Sequence, residues 1–282
     1  MIWLWYLLIS IFTASVANIL QRVLMKDEKS DPLSYAIIFQ FTFGTFNLLI
    51  GLIHGLVLPQ LSFHLAFFLL SGILWGFTSL FFFKGLKLIE SSESTILLSS
   101  RTFITIGAAI LFLKETLDLQ KIIGVILMLI SVFLITELKN GFKLNKGAYF
   151  TLIAAFCGGL AIVSDAYNVK YYDPISYSVI MAYLPGIILL LFSPKSIKNF
   201  TIVKNITFLR RMIIIGFFFS IQAITYFLSL AKGGTASQVG TINRAEVIIT
   251  VILAVIFLKE RDHLWKKLIS AVLVTVGVVL LS

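Results

Sequence analysis

From residue 2 to residue 281 the chain is one apolar run after another, each about as long as a helix that crosses a lipid bilayer. The hydrocarbon core is about 30 Å thick and a helix rises about 1.5 Å per residue, so about 20 apolar residues suffice. Ten such runs can be drawn, at 2–24, 33–57, 64–88, 93–113, 119–137, 146–170, 174–193, 211–231, 235–258 and 263–281. Their ends fall on punctuation such as Asp31-Pro32, Pro59, Lys139-Asn140-Gly141, Asp173-Pro174, Pro194 and Gly233-Gly234. A transmembrane β-strand needs only about ten residues of alternating polarity, half of what these continuous runs supply. The predicted fold class is therefore an all-α integral membrane protein of ten transmembrane helices, a multi-pass protein of the cytoplasmic membrane. Only 13% of residues are charged, about half the share usual in soluble domains. The net charge of +10 does not point to nucleic acid, because the basic residues sit in short gaps between runs, as cytoplasmic loops require. Cys157 stands alone inside a run, so there is no disulfide framework. The first run, opening Met1-Ile2-Trp3, lacks a basic leader and a cleavage site and reads as a retained helix.

An internal repeat organises the runs. DPLSYAIIFQF (31–41) returns as DPISYSVIMAY (173–183), and KIIGVILMLISVFLIT (121–136) returns as KLISAVLVTVGVVLLS (267–282). LLSSRTFITIGAAILFLKE (97–115) returns as INRAEVIITVILAVIFLKE (242–260). Residues 1–137 thus form one five-helix repeat, 138–145 a linker, and 146–282 a second repeat. Five is odd, so the second copy enters the membrane inverted. Inverted repeats with a site at their interface near the midplane are a recurrent build of secondary transporters.

The Leu-Lys-Glu runs also carry charge in mid-span. Aligned, they set Arg101 opposite Glu246, with Arg244 two residues earlier, each 14 or more residues before the terminal Glu115 or Glu260. Ionisable groups in hydrocarbon cost several kcal/mol and face a bundle interior or a wet cavity. Arg101 reads either as a binding group for an anionic part of a substrate or as the structural partner of Glu246. Glu246 reads as a proton carrier or as a counter-ion, and two nearby arginines favour the counter-ion. Asp165 is the only other acid well inside a run and is either a coupling carboxylate or a helix-joining group. Asn18, Gln21, Gln40, Asn47 and Asn243 read as helix glue. Gln222 and Tyr226, one turn apart on one face of the eighth run, join the substrate-binding candidates. Trp75, Phe77, Phe81, Phe82 and Phe83 read either as the lining of a substrate path or, for most of them, as lipid-facing bulk, and Gly72/Gly76 and Gly158-Gly159 as points of close helix approach. His54, His64 and His263 lie near run ends without clustering, so no metal site is indicated. No P-loop, cysteine pair or HExxH is present, which leaves no cofactor and no ATPase, redox or zinc-protease chemistry.

The two five-helix halves, with runs ending Phe112-Leu113-Lys114-Glu115 and Phe257-Leu258-Lys259-Glu260, resemble the EamA-type branch of the drug/metabolite transporter superfamily. FFFKGLKLIESSEST (81–95) and TYFLSLAKGGTASQV (225–239) are similar to its aromatic-to-small junctions before those helices. The resemblance spans essentially the whole chain. Two departures stand out: Lys114 and Lys259 occupy positions where the family often has Gly, and Val247 follows Glu246 where Pro is common.

Orientation sets two arguments against each other. Seventeen basic residues fall in gaps after odd-numbered runs, and four, Lys114, Lys121, Lys170 and Lys232, in gaps after even-numbered ones. The count puts both termini outside, whereas the resemblance implies both inside; the charge count is the expectation carried forward, with the 194–210 gap in the cytoplasm.

The function expected is secondary active transport of a small polar metabolite, amino-acid-like or otherwise bearing carboxylate or phosphate, by alternating access of the two halves. Arg101, Arg244 and Glu246 would floor the cavity, and bound substrate would neutralise an arginine. Partners are the solute, the bilayer, and a proton or counter-substrate as energy source, with the chain a monomer or homodimer. A lipid or lipid-carrier translocase is the alternative. An intramembrane enzyme is the third reading, and it lacks a clustered acid, base or nucleophile around Asp165.

Overall fold

The computed structural model describes residues 2–25, 31–57, 65–113, 119–136, 145–168, 171–232, 242–243, 245–260 and 264–281. Among them the fold is all α. The helices are α1 (Ile2–Met25), α2 (Pro32–His54), α3 (Leu65–Leu88), α4 (Ser91–Leu98), α5 (Arg101–Leu113), α6 (Leu119–Thr136) and α7 (Lys146–Asn168). They continue with α8 (Pro174–Phe192), a 3-10 segment (Pro194–Lys204), α9 (Ile206–Ala231), α10 (Glu246–Leu253), a π-helical turn (Ala254–Leu258) and α11 (Leu264–Leu281). Six helices among the described residues are long and apolar enough to cross a membrane: α1, α2, α3, α8 and most of α7 and α9.

Local chemistry sets where several helices begin. Asp31 caps α2 by accepting from the Ser34 amide at 3.2 Å, and Asp173 caps α8 by accepting from the Ser176 amide at 2.8 Å, with Pro first in each helix. The repeated Asp-Pro-x-Ser is thus one N-cap used twice. Burial pushes both carboxyls up, yet the hydrogen bonds from Ser34 and Asn199 to Asp31, and from Ser176 and His54 to Asp173, outweigh it and hold both below the ordinary value. The caps therefore contribute fully at neutral pH and are lost only as acid protonates them. Asn205 starts α9, accepting from the Thr207 amide at 2.9 Å. The eighth run consequently opens five residues earlier than expected: Arg210 and Arg211 sit on exposed faces of the first turns, so two charges there do not end a helix.

Helices from the first part of the chain pack on helices from the second. α1 lies on α9, α3 on α7, α2 on α8 and α6 on α11, while α5 packs on α7 and α10 on α1. Along α3 and α7 the neighbours are Ile89 with Gly147, Thr78 with Gly158 and Ser71 with Ser164, so the two run antiparallel. Gly159 permits the α5–α7 crossing, since a Cβ there would lie 2.6 Å from the Arg101 carbonyl oxygen. The expected amide glue is visible: Gln40 donates to Ser79 at 2.7 Å, and Asn47 accepts from Ser220 at 2.6 Å. Phe82 and Phe83 belong to the buried core rather than to a lipid-facing surface, and Lys84 lies over the rings of Phe81 and Phe150.

The fourth run is not one helix. It breaks at Ser99-Ser100 between α4 and α5, where the Ser99 hydroxyl donates to the Thr95 carbonyl at 3.0 Å and the Ser100 hydroxyl to the Leu97 carbonyl at 2.7 Å. Both carbonyls also accept a backbone amide, Ser99 on Thr95 and Ser100 on Leu97, so the hydroxyls add second bonds that compete with a continuous ladder.

The charge-count orientation predicts cytoplasmic exposure of the 194–210 gap. Ser196 is buried and its hydroxyl donates to the Ser193 carbonyl, so exposed Lys198 is the better reporter. Lys198→Cys is expected to resist a membrane-impermeant maleimide in whole cells and to label after permeabilisation. Full labelling in intact cells would reverse the orientation.

Candidate functional site

Arg101 is the first residue of α5, just after the serine break, and Glu246 the first of α10, just after a turn at Ala245. The two breaks meet: Arg101 Nη2 stands 3.1 Å from Glu246 Oε1. Glu246 is buried, and its carboxylate lies at a helix N-terminus, where the macrodipole favours negative charge. Its backbone carbonyl accepts from the Ser15 hydroxyl of α1 at 3.1 Å. Arg101 packs beside Gly158 and Gly159 near the middle of α7. The pairing inferred by laying one Leu-Lys-Glu run on the other is thus a direct contact. Arg244 lies outside the described residues.

Tyr226 joins a cluster with Leu7, Ile11, Ala245 and Ile249, one residue from Glu246. Gln222 touches α1 through its backbone carbonyl, which accepts from Ser10 at 3.1 Å. These two candidates lie on the α1–α9 contact that borders the ion pair.

Asp165 is elsewhere. It follows Gly159 by six residues, about 9 Å of helix rise, and it is not isolated as the sequence suggested. Trp75 Nε1 donates to Asp165 Oδ2 at 2.7 Å and the Tyr177 hydroxyl donates to Oδ1. Trp75, read as one of a lipid-facing set, is therefore a polar partner.

Sequence reasoning missed a third cluster, at the end of the bundle where α1 finishes and α4 and α11 begin. Glu260 is buried, and its carboxylate accepts from the amides of Ser91 and Ser92 at 3.2 and 3.3 Å and from the Ser92 hydroxyl at 3.0 Å. It thereby caps α4, whose own Glu90 makes no side-chain cap. Arg22 Nε lies 3.8 Å from Glu260, and its guanidinium also donates to the Leu86 carbonyl. Lys267 pairs with Glu90 and donates to the Glu260 carbonyl at 3.1 Å. Arg22 and Lys267, counted as loop charges, are buried instead, because charges at run ends look alike in sequence whether they point outward or across the bundle. The available signal was the recurrence of Leu-Lys-Glu facing Ser91-Ser92. Lys259 holds a left-handed φ of 55°, which glycine adopts without the Cβ penalty.

Of the three histidines, His54 lies 3.5 Å from Asp173, and His64 and His263 lie outside the described residues. Among the described residues no group of His, Cys, Asp and Glu is placed to hold a metal ion.

Comparison with known proteins agrees with this picture. The model of the EamA-like transporter family matches residues 1–137 and again 145–282. A putative sugar uptake protein of Listeria monocytogenes is 28% identical over 242 residues, 79% of each chain, and its Listeria innocua counterpart gives the same figures. One crystal structure matches with a TM-score of 0.64 at 13% identity, covering 98% of this chain and 95% of the other, a likeness of fold.

Proposed function

We propose that this chain, which belongs to the EamA-like transporter family, is a secondary transporter of a small polar solute and works by alternating access around the Arg101–Glu246 pair. The observation that carries the reading is the pair itself, an ion pair 3.1 Å long that joins the broken helices of the two family-matched halves. The packing supports a two-fold repeat, because exchanging α1 with α7 and α3 with α9 turns the α1–α9 contact into α7–α3, and the antiparallel course of α3 and α7 fits an inverted second copy. Ten spans and two halves rocking against each other follow from that reading.

The geometry redirects the expected substrate. Arg101 already has its anion in Glu246, so a net negative solute would have to compete with a fixed carboxylate. A neutral polyhydroxy solute or a zwitterion can bond to both members without leaving either charge stranded. The names of the Listeria relatives agree with a sugar. A carboxylate- or phosphate-bearing solute would depend on Arg244.

Counterflow into proteoliposomes loaded with hexoses, amino acids or sugar phosphates tests this. The wild-type protein is expected to exchange one neutral or zwitterionic class at ten or more times the rate of Arg101→Gln. If none of the soluble solutes exchanges while fluorescent phospholipid is flipped, the lipid translocase is the correct reading. Wild-type exchange by Arg101→Gln would remove the ion pair from the site.

A further inference from the structure

A second polar site lies between α3, α7 and α8. Asp165 accepts from Trp75 and Tyr177. The Tyr177 oxygen is also 3.4 Å from Ser71 Oγ, and the Asn168 amide nitrogen donates to both, at 3.3 Å to Ser71 and 3.4 Å to Tyr177. Ser71 then donates to Ser164 at 2.8 Å, and Ser164 to the Phe67 carbonyl at 3.1 Å. We propose that this cluster is a proton-binding site, in which Asp165 gains and loses one proton while the Tyr177 hydroxyl reverses.

The hydrogen inventory carries the proposal. With Asp165 ionised, Tyr177 donates to it. With Asp165 protonated, its new O–H donates to the Tyr177 oxygen, and the Tyr177 hydrogen turns to Ser71. Ser71 still donates to Ser164, and Trp75, a donor only, serves the second carboxyl oxygen in both forms. No heavy atom has to move, no electron is transferred, and the proton comes from and returns to water.

Asn168 is fully buried, and its amide nitrogen donates to Ser71 and Tyr177 in both forms, which holds the two hydroxyl oxygens in place.

The charges around the cluster leave the carboxylate to the proton. α3 contributes only the uncharged Ser71 and Trp75 at this level, and α8 contributes Tyr177. The turn before α8 contributes Tyr172, packed on Phe68, and Asp173, engaged by His54. α7 itself carries Cys157, and α5 carries Arg101, engaged by Glu246. No cation pairs with Asp165 among the described residues; Lys170 lies outside them. An uncompensated carboxylate at membrane depth is costly, and a proton removes the cost.

The use of the proton in driving solute rests on the transporter reading, but its binding does not, so the test needs no substrate. Trp3→Phe, Trp5→Phe and Trp265→Phe together leave Trp75 as the sole tryptophan. Its emission, in nanodiscs of zwitterionic lipid, is expected to pass reversibly through one transition with pH. Asp165→Asn is expected to abolish the transition. Tyr177→Phe keeps the ring against Phe68 and is expected to displace it along the pH axis. Exchanging choline for sodium at fixed pH is expected to change nothing.

Flat emission, a transition that survives Asp165→Asn, or an unmoved transition in Tyr177→Phe overturns the proposal. A response to sodium at fixed pH makes this a sodium site and also overturns it. Should Asp165→Asn fail to fold, the Tyr177→Phe comparison decides alone.

Discussion

Glu260→Gln is expected to lower the thermal stability of the purified protein more than Glu90→Gln. Glu260 is 4% exposed, its carboxylate closes the first two amides of α4, and Arg22 faces it at 3.8 Å. Among the described residues the substitution leaves the buried guanidinium the Leu86 carbonyl and the charges of Glu90 and Glu93, which lie outside ion-pair distance. Unpairing a buried charge costs about 3–5 kcal/mol. Glutamine accepts through one oxygen where the carboxylate used two, so part of the cap goes as well, about 1 kcal/mol more. Glu90 is partly solvated, with its side chain 28% exposed, and water can take over some of what Lys267 loses. Scanning fluorimetry of both variants in one detergent reads the ranking. Equal or reversed losses would show that the cluster does not hold this end of the bundle.

The second large effect lies at the Arg101–Glu246 pair, beside the middle of α7. Arg101→Gln and Glu246→Gln each remove one charge of this mostly buried pair and are each expected to cost about 3–5 kcal/mol. The double substitution removes both charges and leaves two amides that can bond to each other. It is expected to recover about 1–3 kcal/mol relative to the sum of the single losses. Additivity in the double-mutant cycle would mean that the two side chains do not interact in the membrane. Stability and solute exchange are expected to part company in the double variant, which regains fold without regaining the charges that a solute would address.

What was legible in the sequence was what is local or repeated. Asp-Pro-x-Ser-Tyr announced two helix starts because every atom of an N-cap lies within four residues. Arg101 and Glu246 could be paired because the repeat itself aligned them. The break at Ser99-Ser100 was hidden, since no proline or glycine marks it and serines pass unnoticed in an apolar run. The partners of Asp165 were hidden for a different reason. Trp75 lies 90 positions away, and a tryptophan on an apolar helix looks the same facing lipid or facing a carboxylate. Arg22 and Lys267 misled because the rule for loop charges counts residues and ignores the direction in which a side chain at a helix end points.

The cap on α4 also has an order in time. Glu260 is 169 residues beyond Ser91, and at about 5–20 residues per second the ribosome needs roughly 10–30 s to reach it. Through that interval the first half is in the bilayer with the amides of α4 unclosed and Arg22 without its acid. Closure of α4 therefore waits for Glu260, and resistance of the nascent chain to membrane proteases is expected to rise only once that residue has been made.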